Sequence, residues 1–177
     1  MSVCIVSFSS RKNGNCSQIG EFIKSLLPDA TFYDFANLSI NACGNCEYQC
    51  FNGGNNCPFF EDKEYEILDA ITNSSITYFI VPNYCDFPCS NFFVFNERSL
   101  CYFQNNEELL KAYLQVPKKF ILVSNSNLEN FKTSFAYHTN NEPVVLGLSA
   151  KNYGKVSVEG NLLTSKQAVE DLRKFIL

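Results

Sequence analysis

Four of the nine cysteines, Cys43, Cys46, Cys50 and Cys57, stand within fifteen residues at the spacing Cys-x2-Cys-x3-Cys-x6-Cys. Thiolates grouped on one polar loop can wrap a single centre, and they suit zinc or an iron–sulfur cluster. The same thiols can equally stay free or pair transiently, and the residues alone leave all three readings open. Nine is odd, so complete pairing within one molecule is impossible. Cys4 and Cys101 lie in apolar runs and read as small core residues. A second chemistry is carried by Ser9-Ser10-Arg11-Lys12-Asn13-Gly14-Asn15-Cys16-Ser17. An apolar run precedes this loop and a helical pattern follows it. The start of a helix presents unpaired N–H groups and the positive end of its dipole, which suits a phosphate. Gly14 lets the backbone turn closely about an anion, the hydroxyls add donors, and Arg11 and Lys12 make the loop basic. Neither GxxxxGK[ST] nor GxGxxG occurs here, and an ordinary polar connection is the alternative reading.

Other chemistry is sparse. His138 is the only histidine and lies far along the chain from any candidate nucleophile, so no Ser/His/Asp or Cys/His set can be assembled. It reads as structural. No carboxylate pair stands out for hydrolysis. Two further polar loops follow apolar runs, at Val81 to Ser90 and at Ser124-Asn125-Ser126-Asn127.

These loops need elements to position them. Ser2–Phe8, Thr31–Phe35, Ser75–Val81, Lys119–Ser124 and Pro143–Leu148 are short apolar runs and predict strands, the third ended by Pro82. Ser17–Leu27, Glu61–Thr72, Ser90–Phe103, Leu128–His138 and Thr164–Leu177 carry apolar residues at helical spacing. Thr164 is the expected N-cap of the last. Strands alternating with helices predict a parallel sheet covered on both faces. Five of each fit a flavodoxin-like, doubly wound α/β fold, a three-layer α/β/α sandwich, as one domain over residues 1–177. The polar stretch at 37–60 reads as a Cys-rich insertion. In such sheets ligands bind beyond the carboxyl ends of the strands, at the switch point, where the loops after strands one, three and four stand.

Several segments resemble the NADPH-dependent FMN reductase and iron–sulfur flavoprotein families. Ser9 to Ser17 is similar to their S-x-R-K-x-G-N-[TC]-S loop. The resemblance implies that Ser9, Arg11, Asn13, Gly14, Asn15, Cys16 and Ser17 hold the phosphate of FMN. Cys16 stands where many relatives have threonine, and a thiol donates more weakly than a hydroxyl. Pro82-Asn83-Tyr84 resembles the P-x-Y segment that runs along the flavin ring, which adds Pro82, Asn83, Tyr84, Cys85 and Asp86. By the same likeness the loop at Ser124 and Asn125 contacts the flavin. Asn96-Glu97-Arg98-Ser99 resembles the E-R-S segment of these families. The cysteine loop matches the position of a [4Fe–4S]-binding insertion, with one extra residue between the second and third cysteines. The likeness implies hydride acceptance from NAD(P)H and electron delivery to an acceptor the sequence does not identify. An FMN-binding electron carrier or redox sensor is the alternative, and a zinc-stabilised interaction module a third reading. No side chain is assigned as catalytic.

Composition bounds the partners. Fourteen basic against eighteen acidic side chains give a net charge of −4, with no basic run of the density nucleic acid requires. No stretch approaches the roughly 18 apolar residues that span a bilayer, and the N-terminus lacks a signal-peptide pattern. A cytoplasmic protein with reduced thiols is expected. The aromatic load of 90–103 predicts burial and a subunit interface. Related reductases imply a homo-oligomer, a dimer or tetramer.

Overall fold

The computed structural model describes residues 2–44, 46–52, 57–104, 106–124, 131, 133–135 and 137–177, with residue 52 described for its backbone only. The parallel strands are β1 (Val3–Ser7), β2 (Thr31–Asp34), β3 (Ile76–Tyr84), β5 (Lys118–Ser124) and β6 (Val144–Ser149). A two-residue strand, β4 (Phe87–Pro88), folds back on the end of β3. The helices are α1 (Asn15–Leu26), α2 (Lys63–Thr72), α3 (Ser90–Phe103), α4 (Glu107–Gln115) and α5 (Lys166–Ile176).

The sheet runs β2-β1-β3-β5-β6, every neighbouring pair parallel. With the β4 excursion set aside, this is the flavodoxin-like order 2-1-3-4-5. The chain steps outward from β1 to β2 and then crosses back to β3, so the switch point lies between β1 and β3. Side chains alternate between the two faces along each strand. Val6, Phe8, Phe79, Val81, Phe120 and Leu122 point to one face and meet α2, α3 and α4. Ile5, Tyr78, Ile80, Ile121 and Val123 point to the other and meet α1 and α5. The first face is packed with aromatic rings, Phe8 alone lying within 5.5 Å, centroid to centroid, of Phe35, Phe79, Phe92 and Phe95. The second is mostly aliphatic.

The structure departs from the sequence reading at several elements. β3 does not end at Pro82 but runs through it to Tyr84. Ile80 O accepts from Phe8 N, so the even-numbered residues of this stretch face β1. The β1–β3 ladder ends at the Ser7–Ile80 pair, so the missing N–H of Pro82 lies beyond its last pair. α4 was not expected; its cap Asn106 accepts from Leu109 N at 3.1 Å, and it buries Tyr113. The cap of α5 is Ser165, whose hydroxyl accepts from Ala168 N, and not Thr164. Of the helix expected over 128–138, residues 128–130, 132 and 136 lie outside the described set; Phe131 and Thr133 are helical, and His138 sits in a turn. No helix among the described residues is long and apolar enough to cross a membrane.

Candidate functional site

The loop between β1 and α1 is held from three sides. Ser9 Oγ accepts from Arg11 N, closing a small hydroxyl turn. Asn91 Nδ2, at the start of α3, donates to Phe8 O and to Ser10 Oγ, both at 2.9 Å. Cys89 Sγ donates to the same carbonyl. Gly14 is the N-cap of α1 and supplies no side-chain bond, and the first turn carries no acid. Its Cα lies where a Cβ would meet Arg11 O at 3.1 Å, so the turn is tight. The positive end of α1 is therefore open to a ligand. Asn13 takes a left-handed conformation, φ 55°, to make the turn.

At the end of β3 the chain reverses through Cys85 and Asp86, both left-handed at φ 52° and 67°. A two-residue hairpin with both residues at positive φ matches the twist of the flanking strands. Asn83 Nδ2 donates to Ser124 Oγ at 2.8 Å and ties this end of β3 to the end of β5.

These loops enclose one cavity of about 330 Å³ at the carboxyl edge of the sheet. Its lining includes Ser9, Arg11, Gly14, Asn15 and Cys16 from the first loop, Pro82, Asn83, Tyr84 and Cys85 from the second, and Ser124. Asn13, Ser17 and Asp86 stand beside it and are not among its described lining residues. Ser17 Oγ donates instead to Arg11 O, and the buried Oδ1 of Asp86 has no hydrogen-bond partner among the described residues. Asn125 lies outside the described set. Burial, with smaller contributions from Cys89 and Asp34, pushes the Cys16 thiol far up, so it stays neutral and adds no negative charge beside an anion.

Sequence reasoning missed one wall. Val123, Ser157 and Val158 also line the cavity. The stretch 157–162 lies as a strap across the first loop. Asn15 Nδ2 donates to Ser157 O and Asn15 Oδ1 accepts from Leu162 N, both at 3.0 Å. Gln18 Nε2 donates to Gly160 O at 2.7 Å, and Arg11 Nη2 donates to Val158 O. Both amide atoms of Asn15 thus serve the strap. Gly160 is left-handed, and a Cβ there would meet Asn13 O at 3.3 Å. Only that glycine, in an irregular stretch, marked the approach.

The cysteine loop docks on α3. Arg98 is fully buried. Its Nη1 donates to Asn41 O and Asp62 Oδ2, and its Nη2 to Phe59 O and Asp62 Oδ1. Burial opposes the Asp62 charge, yet the bonds from Arg98 and from neighbouring amides hold its carboxyl below the usual range. Glu97 Oε1 accepts from Cys43 N at 2.9 Å. Cys43 and Cys46 are half-buried, while Cys50 and Cys57 are buried and pack with Cys101. Cys101 therefore belongs with this group, and the reading of it as a plain core residue is incomplete. All nine cysteines are free thiols. His138 is buried in the aromatic core, its Nδ1 bonded to Tyr113 Oη at 2.7 Å.

No protein-family model matches the chain, and no curated protein matches it. Solved structures do match across its whole length. The Trp repressor binding protein of Bacillus subtilis is 14% identical with a TM-score of 0.62, over 99% of this chain and 97% of that one. The flavoenzyme NAD(P)H:(acceptor) oxidoreductase FerB of Paracoccus denitrificans is 15% identical with a TM-score of 0.56, over 99% and 94%. RosB, solved with 8-demethyl-8-formylriboflavin-5'-phosphate bound, is 14% identical with a TM-score of 0.58, over 98% and 79%. The chain shares their fold.

Proposed function

We propose that this chain is an FMN-dependent NAD(P)H oxidoreductase. The observation that carries the reading is the convergence, in one cavity at the switch point, of an open helix start, the end of β3 and the end of β5. The residues fit a flavin phosphate. The first amides of α1 face the cavity without a capping side chain, Gly14 leaves room, and the neutral Cys16 thiol does not repel an anion. Ser9, Arg11, Gly14, Asn15 and Cys16 would hold the phosphate. Pro82, Asn83, Tyr84 and Cys85 would border the ring, with the Asn83–Ser124 bond fixing that border. Arg11 is exposed and turned to the strap, so its cation sits at the rim. Tyr84 and Phe87, both more than half exposed, form an aromatic hairpin beside the cavity, suited to a flat nicotinamide or acceptor. Bound there, FMN supplies hydride acceptance from NAD(P)H and electron delivery to an acceptor.

Two fold neighbours support this reading: RosB was solved with a flavin phosphate bound, and FerB is an NAD(P)H:(acceptor) oxidoreductase. Phe93 and Leu100 lie seven residues apart on α3, both exposed, and support assembly of a homo-oligomer through that stripe. Nine free thiols suit the reducing cytoplasm. The test is direct. Flavin-free protein titrated with FMN should quench flavin fluorescence at one equivalent, and NADPH or NADH should bleach the yellow complex without oxygen. Unquenched fluorescence at saturating FMN sinks the proposal. Binding without bleaching by either nucleotide reduces it to a flavin-binding protein.

A further inference from the structure

The cysteine group does not fit an ion or a cluster as it stands. Structural zinc sites and [4Fe–4S] clusters each take four ligands. Among the described residues, no three His, Cys, Asp or Glu side chains gather as a metal set. Cys50, Cys57 and Cys101 pack as one buried group, and within it one pair is close. Cys50 lies in a short 3₁₀ turn, Gln49–Asn52, and Cys101 in the last turn of α3. Their sulfurs are 3.4 Å apart, and both residues are buried. A disulfide needs a separation of about 2.05 Å, so closing the pair takes a shift of about 1.4 Å. Arg98 and Glu97 hold the backbone on either side of the turn against the same helix, which fixes the two sulfurs opposite each other. A second cavity, about 460 Å³, has Cys101 in its wall with Cys43, Tyr48, Phe51, Leu100 and Glu97. Glu97 is its one charged lining residue among those described.

We propose that Cys50 and Cys101 are a redox pair and that this cavity admits a low-molecular-weight disulfide, neutral or cationic, as their oxidant. Burial, and secondarily the Cys50 thiol, push the Cys101 thiol far up, so the reaction runs through a small thiolate fraction and quickens with rising pH; that thiolate attacks one sulfur of the disulfide. The bond between the two reagent sulfurs breaks, a mixed disulfide forms on Cys101, and the first thiolate leaves and takes up the proton that Cys101 lost. The Cys50 thiolate then attacks the Cys101 sulfur. The protein disulfide forms, the mixed disulfide breaks, and the second thiol leaves with the proton from Cys50. Two electrons and two protons pass from the protein to the reagent. The new bond staples the cysteine loop to α3. A carboxylate as the one charged group in the described wall disfavours an anionic disulfide.

The experiment uses the full chain, purified reduced and without oxygen, with cystamine as the cationic probe and dithiodipropionate as the anionic one. After alkylation and digestion, mass spectrometry should find the Cys50 peptide joined to the Cys101 peptide. Cystamine should join them at least several-fold faster than dithiodipropionate. In Cys50→Ser the cystamine adduct should accumulate on Cys101, and the exposed Cys85 should be modified in every sample, reporting active reagent. If Cys50→Ser does not fold, the cross-link map of the native chain decides. Cys50 joined to Cys43 or Cys57 overturns the proposal, as does no cross-link, or a faster reaction with dithiodipropionate. Zinc or iron bound at one or more per chain, with Cys50 and Cys101 unreactive, also overturns it. No readout involves a flavin, so failure here leaves the FMN reading standing.

Discussion

At the scale of single residues, Gly14 carries the most function in the fewest atoms. Its backbone, φ −75° and ψ 174°, is open to any residue, so what selects glycine is room and the absence of a competing cap. An aspartate is a preferred N-cap and would satisfy the amides that otherwise await a phosphate. In Gly14→Asp the new cap stabilises while the Cβ crowds Arg11 O at 3.1 Å, so the unfolding free energy should stay within ~1 kcal/mol of the native chain, while FMN affinity falls more than tenfold. Thermal melts beside fluorescence titrations check both halves; undiminished affinity would remove the α1 terminus from the site. Most of the cavity's residues were legible because local sequence writes them: a hydroxyl- and glycine-bearing loop before a helix, a Pro-x-Tyr after a strand. Ser157 and Val158 were not, since their role comes from main-chain carbonyls that any residue provides. Cys101 is a buried core residue as read, but its thiol partners were hidden for a related reason. An apolar neighbourhood in sequence does not reveal which thiol a helix turns toward.

At the scale of elements, α3 does two jobs. One side sends Phe92 and Phe95 into the aromatic core. The other presents Glu97, Arg98 and Cys101 to the cysteine loop. The second job rests on a charge with 1% side-chain exposure, paired with Asp62 at 2.8 Å. Removing one member of a buried pair leaves the other charge uncompensated, at a cost of about 3–5 kcal/mol. Arg98→Ala should lose stability on that order in urea unfolding, and a loss under ~1 kcal/mol would mean that solvent screens the pair. Parallel strands were easy to read because burial on both faces makes them short continuous apolar runs. α4 escaped although Asn106, two glutamates and a leucine pair announced it, because only Tyr113 of that helix is fully buried. The passage of β3 through Pro82 was hidden for a different reason. Whether a proline ends a strand depends on which neighbour its nitrogen faces, and only the register decides that.

At the scale of the whole molecule, stability should depend on pH through a group deep in the aromatic core. Burial, and secondarily the charge of Lys118, push His138 down to about 3. In the unfolded chain an imidazole titrates near about 6.5. The folded state thus refuses a proton that the unfolded state accepts. Stability from this group is complete above about 6.5 and is lost as pH falls toward about 3, with a limiting slope of about 1.4 kcal/mol per pH unit. Lys118, which burial lowers to about 7, acts in the same sense at higher pH. As His138 is the only histidine, its imidazole NMR signals need no assignment. They should not titrate between pH 8 and pH 5; a midpoint near about 6.5 would place the ring in solvent. The strap at 157–162 has a consequence for how the site comes into being. Asn15 meets partners 142 and 147 positions further along the chain. On the ribosome the first loop emerges well ahead of its far wall, which follows 142 to 147 positions later. Cofactor capture is thus deferred until Leu162 has left the exit tunnel, and a nascent chain stalled before that point carries half a pocket.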